Sequence, residues 1–271
     1  MNERARRSDQ QETPAEVFDR LFLPAMAGPW AVRLVDAAGL TPGSRVLDVA
    51  CGTGAVAQEA LRRVGPDGQV TGLDLSPEML AVARRKLPHL DLQEGRAEKL
   101  PFADDAFDAV TCQFGLMFFD EPLTALLEMR RVLRRGGAVA VAVWDSLDRS
   151  PGYEALTHTV EKHLGVEAGL PIRASFALGD VDLMGGLLEE AGFGAVRAES
   201  VQAEARFPSV SDWVEAEVKG WVGGDFGDRE YAALLQDAED ALAAHRRVDG
   251  RVEFVLPAII ATGTKDERVS S

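Results

Sequence analysis

The chain has 271 residues, 46% hydrophobic and 27% charged, enough for one large globular domain or a domain with a subdomain. Its 29 basic and 44 acidic residues give a formal net charge of −15, which opposes a nucleic-acid backbone and favours small neutral or cationic partners. Arg4, Arg6 and Arg7 precede no apolar segment and no apolar run reaches bilayer length, so neither a signal peptide nor a membrane span is expected, and a cytoplasmic protein is.

Residues 1–12 are polar and read as loose chain. Thr13-Pro14 followed by spaced Val17, Leu21 and Phe22 predicts one or two entry helices up to Ala38, so that 1–42 forms a helical cap on a domain spanning 43–271. From Arg45 the short apolar stretches RVLDVA, QVTGLDL, LDLQEG, FDAVTCQ and GAVAVAVW alternate with helical segments, which predicts a largely parallel sheet covered on both faces. Ser76-Pro77-Glu78 supplies an N-cap hydroxyl, a first-turn proline and a first-turn acid, and so starts a helix. Leu123, Leu126, Leu127 and Leu133 share a helical stripe that closes on Arg134-Arg135-Gly136-Gly137, read as a basic last turn and C-cap glycine before a strand at Ala138–Trp144.

Beyond Trp144 the rhythm breaks. Residues 145–179, with Tyr153, His158 and His163, read as a first lid insertion, followed by a helix from Asp180 to Ala191 and a strand from Phe193 to Val201. A second helix-leaning insertion, about 208–247, carries Trp213, Trp221, Phe226 and Tyr231. Val252–Thr262 predicts one final strand, which Pro257 assigns to an edge or a bulge.

The stretch VLDVACGTG, residues 46–54, carries the chemistry. Gly52-x-Gly54-x-x-Ala57 fits the dinucleotide fingerprint, and Asp74, closing the second strand, is placed to accept hydrogen bonds from ribose hydroxyls. The glycines alone do not say which cofactor is bound. Asp48 does bear on that choice, because a carboxylate four residues before Gly52 repels a pyrophosphate and suits a cation. Cys51 and Cys112 are too few for a disulfide framework and read as buried thiols, and no metal-ligand spacing occurs.

VLDVACGTG (46–54), GLDLSPEML (72–80), EGRAEKLPFADDAFDAVTCQFGLMFF (94–119) and RRVLRRGG (130–137) strongly resemble class I S-adenosylmethionine-dependent methyltransferases, in the ubiquinone and menaquinone biosynthesis branch (methyltransferase type 11). The resemblance spans roughly residues 43–145 and implies a Rossmann-like α/β sheet of seven strands, the last antiparallel, with helices on both faces and helical lid insertions. It implies that Asp48, Ala50, Gly52, Thr53 and Gly54 surround the methionine portion of S-adenosyl-L-methionine and that Asp74 holds the ribose. Leu75 and Met79 are then expected to flank the adenine, with Ala97 and Glu98 at its edge, and Gln113 and Phe114 to face the methyl group. The chain departs from the family at Arg96, where an aspartate is common; Glu98 or backbone amides are the substitutes.

Methyl transfer needs no protein nucleophile, only a held acceptor and a dry site, with a general base where a proton leaves. His158 and His163 are the candidates for that base, although either also reads as a solvated side chain. Phe18, Phe22, Trp30, Trp144 and Tyr153 are the candidate acceptor-pocket residues, with Trp213, Trp221 and Phe226 as further aromatics; packing of the lid is the plainer role for each. The expected activity is methylation of a small organic acceptor at oxygen, carbon or nitrogen, in secondary metabolism or quinone-like chemistry, by a monomer or homodimer. A nicotinamide-dependent oxidoreductase and a non-catalytic cofactor-binding protein are the rival readings.

Overall fold

The computed structural model describes residues 12–222 and 227–266. The Thr13 hydroxyl accepts from the Glu16 amide at 3.3 Å while the Glu16 carboxylate accepts from the Thr13 amide at 3.0 Å, a reciprocal cap that starts α1 (Pro14–Val17). The rod continues through a π-helical stretch, Phe18–Ala27, into α2 (Gly28–Ala37). Pro24 lies inside that stretch; a proline removes one amide donor, and the wide π turn absorbs the break. Thr13→Ala is expected to cost about 1 kcal/mol, read as a lower urea midpoint with unchanged slope.

In chain order there follow β1 (Arg45–Val49), α3 (Ala55–Val64), β2 (Gln69–Asp74), α4 (Pro77–Lys86), β3 (Asp91–Glu94), β4 (Phe107–Gln113), α5 (Pro122–Val132) and β5 (Leu133–Trp144). The second half contributes α6 (Pro151–Leu164), α7 (Val166–Ala174), α8 (Val181–Glu190), β6 (Gly194–Val201), β7 (Glu204–Phe207), α9 (Val210–Glu217), α10 (Asp228–Ala241), β8 (Val252–Val255) and β9 (Ala258–Thr264). Seven strands form one sheet in the order β3-β2-β1-β4-β5-β9-β6, and β9 alone runs against its neighbours. The order reverses between β1 and β4, so right-handed crossovers put α3 and α4 on one face and α5 and α8 on the other, and leave a crevice at the carboxyl ends of β1 and β4. Val46, Leu47, Val49, Val110, Val139, Val141 and Val143 are fully buried between those layers. The expected fold, with its seven strands and antiparallel last strand, is the one observed.

Two local expectations are corrected. α5 stops at Val132 and Leu133 is already extended, so Arg134-Arg135-Gly136-Gly137 belongs to the start of β5 rather than to a glycine cap. The helix's last carbonyls are satisfied from elsewhere: Lys265 Nζ donates to Arg131 O at 3.1 Å and Leu133 O at 2.7 Å. The second correction is at Pro257, where the single strand expected over Val252–Thr262 is two. β9 lies inside the large sheet, between β5 and β6, while β8 pairs with β7 in a separate two-stranded sheet. The proline has no amide to give a ladder and sits in the break, where its carbonyl accepts from the Asp145 amide at 3.1 Å.

The lid is therefore an outgrowth of the β6/β9 pair. Its core is aromatic: Trp213, completely buried, stacks on Phe254 at 4.1 Å between ring centroids and on Phe207 at 5.7 Å, with Tyr153 edge-on at 5.4 Å. The Ser209 hydroxyl caps α9 by accepting from the Asp212 amide at 3.0 Å. Phe226 and the Trp221 side chain lie outside the described residues, as do the loose segment expected before Glu12 and residues 267–271.

Candidate active site

A cavity of about 310 Å³ opens over the carboxyl ends of β1, β2 and β4. β1 runs as a buried apolar strand up to Val49 and then turns sharply, with Ala50 at φ 55° and Gly52 at φ 54°. The next turn residue, Gly54, caps α3 at φ 89°, a conformation that disfavours any side chain, and a Cβ there would also sit 2.8 Å from Leu87 Cδ1. At the end of β4 the chain turns the same way, Phe114 at φ 53°. The two turns nearly touch: a Cβ on Gly115 would lie 2.5 Å from the Ala50 Cβ. Left-handed Ala50 and Phe114 both line the cavity, which is where the fold tolerates strain.

Asp48 is 1% exposed. One of its oxygens accepts from Thr111 Oγ1 at 2.9 Å, and Oδ2 has no partner among the described residues. Burial pushes this carboxyl up to about 7, against smaller opposing effects of the Thr111 hydroxyl and the Ala57 amide. Thr53 Oγ1 and Gln113 Oε1 are likewise buried without a partner, and all three residues line the cavity. The Gln113 amide is held in place by donating from Nε2 to Ala27 O at 3.0 Å, at the end of the π-helical stretch. All three oxygens are buried without a hydrogen-bond partner among the described residues, which costs free energy that a donor-bearing ligand would offset.

Asp74 works in two directions. Its Oδ2 accepts from the Gly52 amide at 2.7 Å and Oδ1 from the Ser76 amide at 2.8 Å, which ties the glycine turn to the end of β2. Burial raises its pKa against the Ser76, Gly52 and Leu75 amide hydrogen bonds, and the residue lines the cavity. On the far side, Arg96 reaches both Asp120 and Glu98, and Glu98 accepts from the Asp120 amide at 3.1 Å. The arginine at the unusual position is therefore neutralised by its neighbours, and its ion pair with Asp120 raises its pKa.

Of the expected cofactor residues, Asp48, Ala50, Gly52, Thr53, Asp74, Leu75, Met79, Ala97, Glu98, Gln113 and Phe114 line the cavity, and Gly54 lies behind the turn. Phe18, Phe22, Trp144 and Tyr153 also line it. Trp30 does not; it is 2% exposed and buttresses Phe114 and Trp144, which stack at 3.6 Å, by meeting both edge-on. The two histidines are elsewhere: His158 is exposed, and His163 Nε2 pairs with Asp237 at 2.8 Å. Neither lines the cavity, so neither is placed to receive a proton in it. Residues not anticipated there include Leu23, Phe118, Phe119, Phe176 and, most consequentially, Glu217. Cys51 and Cys112 are free buried thiols, as expected, and burial pushes both upward.

Because Asp48 titrates higher in the fold than its ordinary 3.8, its contribution to ligand-free stability is present below about pH 4 and is lost as pH rises through about 7. Asp48→Asn removes that titration. The melting temperature of the variant minus that of the wild type is expected to grow steadily between pH 4.5 and 7.5 in a thermal scan.

Residues 47–141 match the methyltransferase domain family, and that segment carries the glycine turn and the switch-point crevice between β1 and β4. The chain is similar to the demethylmenaquinone methyltransferase of Renibacterium salmoninarum, 50% identical over 113 residues covering 42% of this chain and 46% of the relative. It is also similar to that of Chlorobaculum parvum, 40% identical over 134 residues, covering 49% and 54%. The chain thus spans about half the length of the curated relatives it matches. Among solved structures, the YcgJ protein of Bacillus subtilis superposes with a TM-score of 0.59 at 20% identity, over 88% of this chain and 98% of that one. A Haemonchus contortus phosphoethanolamine N-methyltransferase in complex with S-adenosyl-L-methionine does so at 0.59 and 16% identity, over 98% and 60%. At those identities the likeness is one of fold. Among the described residues no helix is long and apolar enough to cross a membrane.

Proposed function

We propose that the protein transfers a methyl group from S-adenosyl-L-methionine to a small organic acceptor. The observation that carries this is the trio of orphaned oxygens at Asp48, Thr53 and Gln113. A pyrophosphate would bring only acceptors and negative charge to that place, whereas the α-ammonium of S-adenosylmethionine brings three N–H donors and a positive charge. The cavity lining holds Asp48, Asp74, Glu98 and Glu217 against Arg96 as its one cation among the described residues, which also opposes a dinucleotide.

When bound, S-adenosylmethionine supplies an electrophilic methyl carbon on a sulfonium. This chain's residues do the rest. Asp48, Thr53 and Gln113 take the amino-acid end, Asp74 accepts from the ribose hydroxyls, and Leu75, Met79 and Ala97 enclose the adenine with Glu98 at its edge. Phe114 and Trp144, stacked on one another and held by Trp30, form a wall beside the reacting carbon; Phe18 and Phe22, stacked at 5.0 Å, close the opposite side and keep water out. An aromatic lining of this kind selects a flat, apolar acceptor. The relatives named demethylmenaquinone methyltransferases support an acceptor of that general character; the lid lies outside residues 47–141, which match the family.

Isothermal titration calorimetry tests the reading. S-adenosylhomocysteine and S-adenosylmethionine are expected to bind in the micromolar range and NADH not at all; the reverse ranking defeats it.

A further inference from the structure

Three of the cavity's acids come from the ends of β1 and β2 and from the turn after β3, where the proposed cofactor contacts use them. Glu217 has no such use. It comes from α9, in the lid, is 2% exposed, and accepts a hydrogen bond from the Tyr153 hydroxyl of α6, which also lines the cavity. No ion pair to it occurs among the described residues, and several charged groups on the elements around α9 are engaged elsewhere. Arg20 of the π-helical stretch holds Glu12 and Glu215, Arg206 of β7 holds Glu204 and Glu253, Lys162 and His163 of α6 hold Asp237 of α10, and Lys219 lies over the Tyr231 ring. A carboxyl kept in such a place without a counter-charge is expensive, and folds retain one where it acts. Burial pushes it up to about 7, and the Tyr153 hydrogen bond and the Trp213 indole N–H pull the other way. It therefore changes protonation state near neutral pH, as a general base should.

We infer that Glu217 is the proton acceptor of the reaction, taking the proton of a neutral hydroxyl on a flat apolar acceptor, with Tyr153 positioning its carboxylate; this rests on the methyl-transfer reading above. The substrate class follows from charge. An anionic acceptor meets no free cation in the described lining, and a cationic one would stand beside a sulfonium of the same sign. A hydroxyl brings one donor, which the remaining lone pairs of Glu217 accept. In the step, the acceptor's O–H bond breaks with its proton passing to a Glu217 oxygen. The electron pair left on oxygen forms the bond to the methyl carbon, and the electrons of the breaking sulfur–carbon bond stay on sulfur. Positive sulfonium and negative carboxylate become neutral thioether and neutral carboxylic acid.

The test uses the full chain, wild type and the variants Glu217→Gln, Glu217→Asp and Tyr153→Phe, with 2-naphthol as the hydroxyl probe. S-adenosylhomocysteine affinity is measured first by calorimetry and is expected to agree within about two-fold across the set. The infrared difference spectrum on adding 2-naphthol to the S-adenosylhomocysteine complex is expected to show a carboxyl band that Glu217→Gln lacks. Turnover with S-adenosylmethionine is expected to fall by about 100-fold or more in Glu217→Gln and to recover in part in Glu217→Asp. In Tyr153→Phe the acid limb of the kcat/KM profile moves to higher pH, because the hydrogen bond that favours the carboxylate is gone. If the wild type fails to bind S-adenosylhomocysteine, the methyltransferase reading itself falls. If all bind it while Glu217→Gln keeps both the infrared band and the turnover, or if the loaded wild type neither binds nor methylates 2-naphthol, the assignment of Glu217 is overturned.

Discussion

Asp74→Ala is expected to weaken S-adenosylhomocysteine binding by about 3 kcal/mol, roughly 100-fold, since hydrogen bonds to a charged group are worth about 1.5–3 kcal/mol each. The loss has two sources. One is the pair of ribose hydroxyls that no longer find a carboxylate; the other is the Gly52 amide, which loses its 2.7 Å partner and with it the pinning of the glycine turn to β2. Asp74→Asn separates them, because a carboxamide offers one oxygen where the carboxylate offers two and cannot accept from both the Gly52 and Ser76 amides in the same way. Calorimetry gives the affinity, and a thermal scan of the unliganded variants shows whether the turn itself has loosened. An affinity within three-fold of wild type in Asp74→Ala would remove this residue from the cofactor site.

The second large effect belongs to stability. Trp213 is completely buried among Phe254, Phe207 and Tyr153, and replacing a buried tryptophan by alanine costs about 3–5 kcal/mol through lost contacts and the cavity left behind. The damage is local to the lid, whose strands β7 and β8 carry two of those three neighbours. Trp213→Ala is therefore expected to lower the urea midpoint by that amount while S-adenosylhomocysteine affinity stays within a few-fold, because the carboxyl ends of β1, β2 and β4 are built without this ring. A shift below about 1 kcal/mol would mean the surrounding aromatics close the gap by themselves.

The half of the cavity proposed to hold the cofactor was legible because its signals are local. The Gly52-x-Gly54 turn, an acid interrupting the apolar run at Asp48 and another at the end of β2 are each read within a few residues, and the structure brings all of them to one crevice. The proposed acceptor half is assembled from residues scattered along the chain, Phe22, Trp144, Phe176 and Glu217 among them, which only tertiary packing unites. Glu217 nonetheless carried a signal of the same kind as Asp48: it falls four residues after Trp213 and three after Val214, on the apolar face of α9, where a carboxylate has no structural reason to be. The histidines drew attention by residue type alone, and type without placement misled. The α5 terminus and the Pro257 break were misjudged for a different reason. In both, the group that settles the backbone, Lys265 for the helix carbonyls and the β7 pairing for β8, comes from elsewhere in the chain.

The break at Pro257 has a consequence for how this fold can diversify. Chain leaves the large sheet after β6 and re-enters it at β9, and everything between, from β7 through β8, returns to nearly the point it left, with Leu256 N bonded to Ala203 O at 2.9 Å. That interval is a cassette, hung on two adjacent strands and carrying Trp213 and Glu217. Exchanging it swaps the proposed base and the aromatic packing behind it together, while the machinery proposed to hold the methyl donor and the Phe114 and Trp144 wall keep every residue they have.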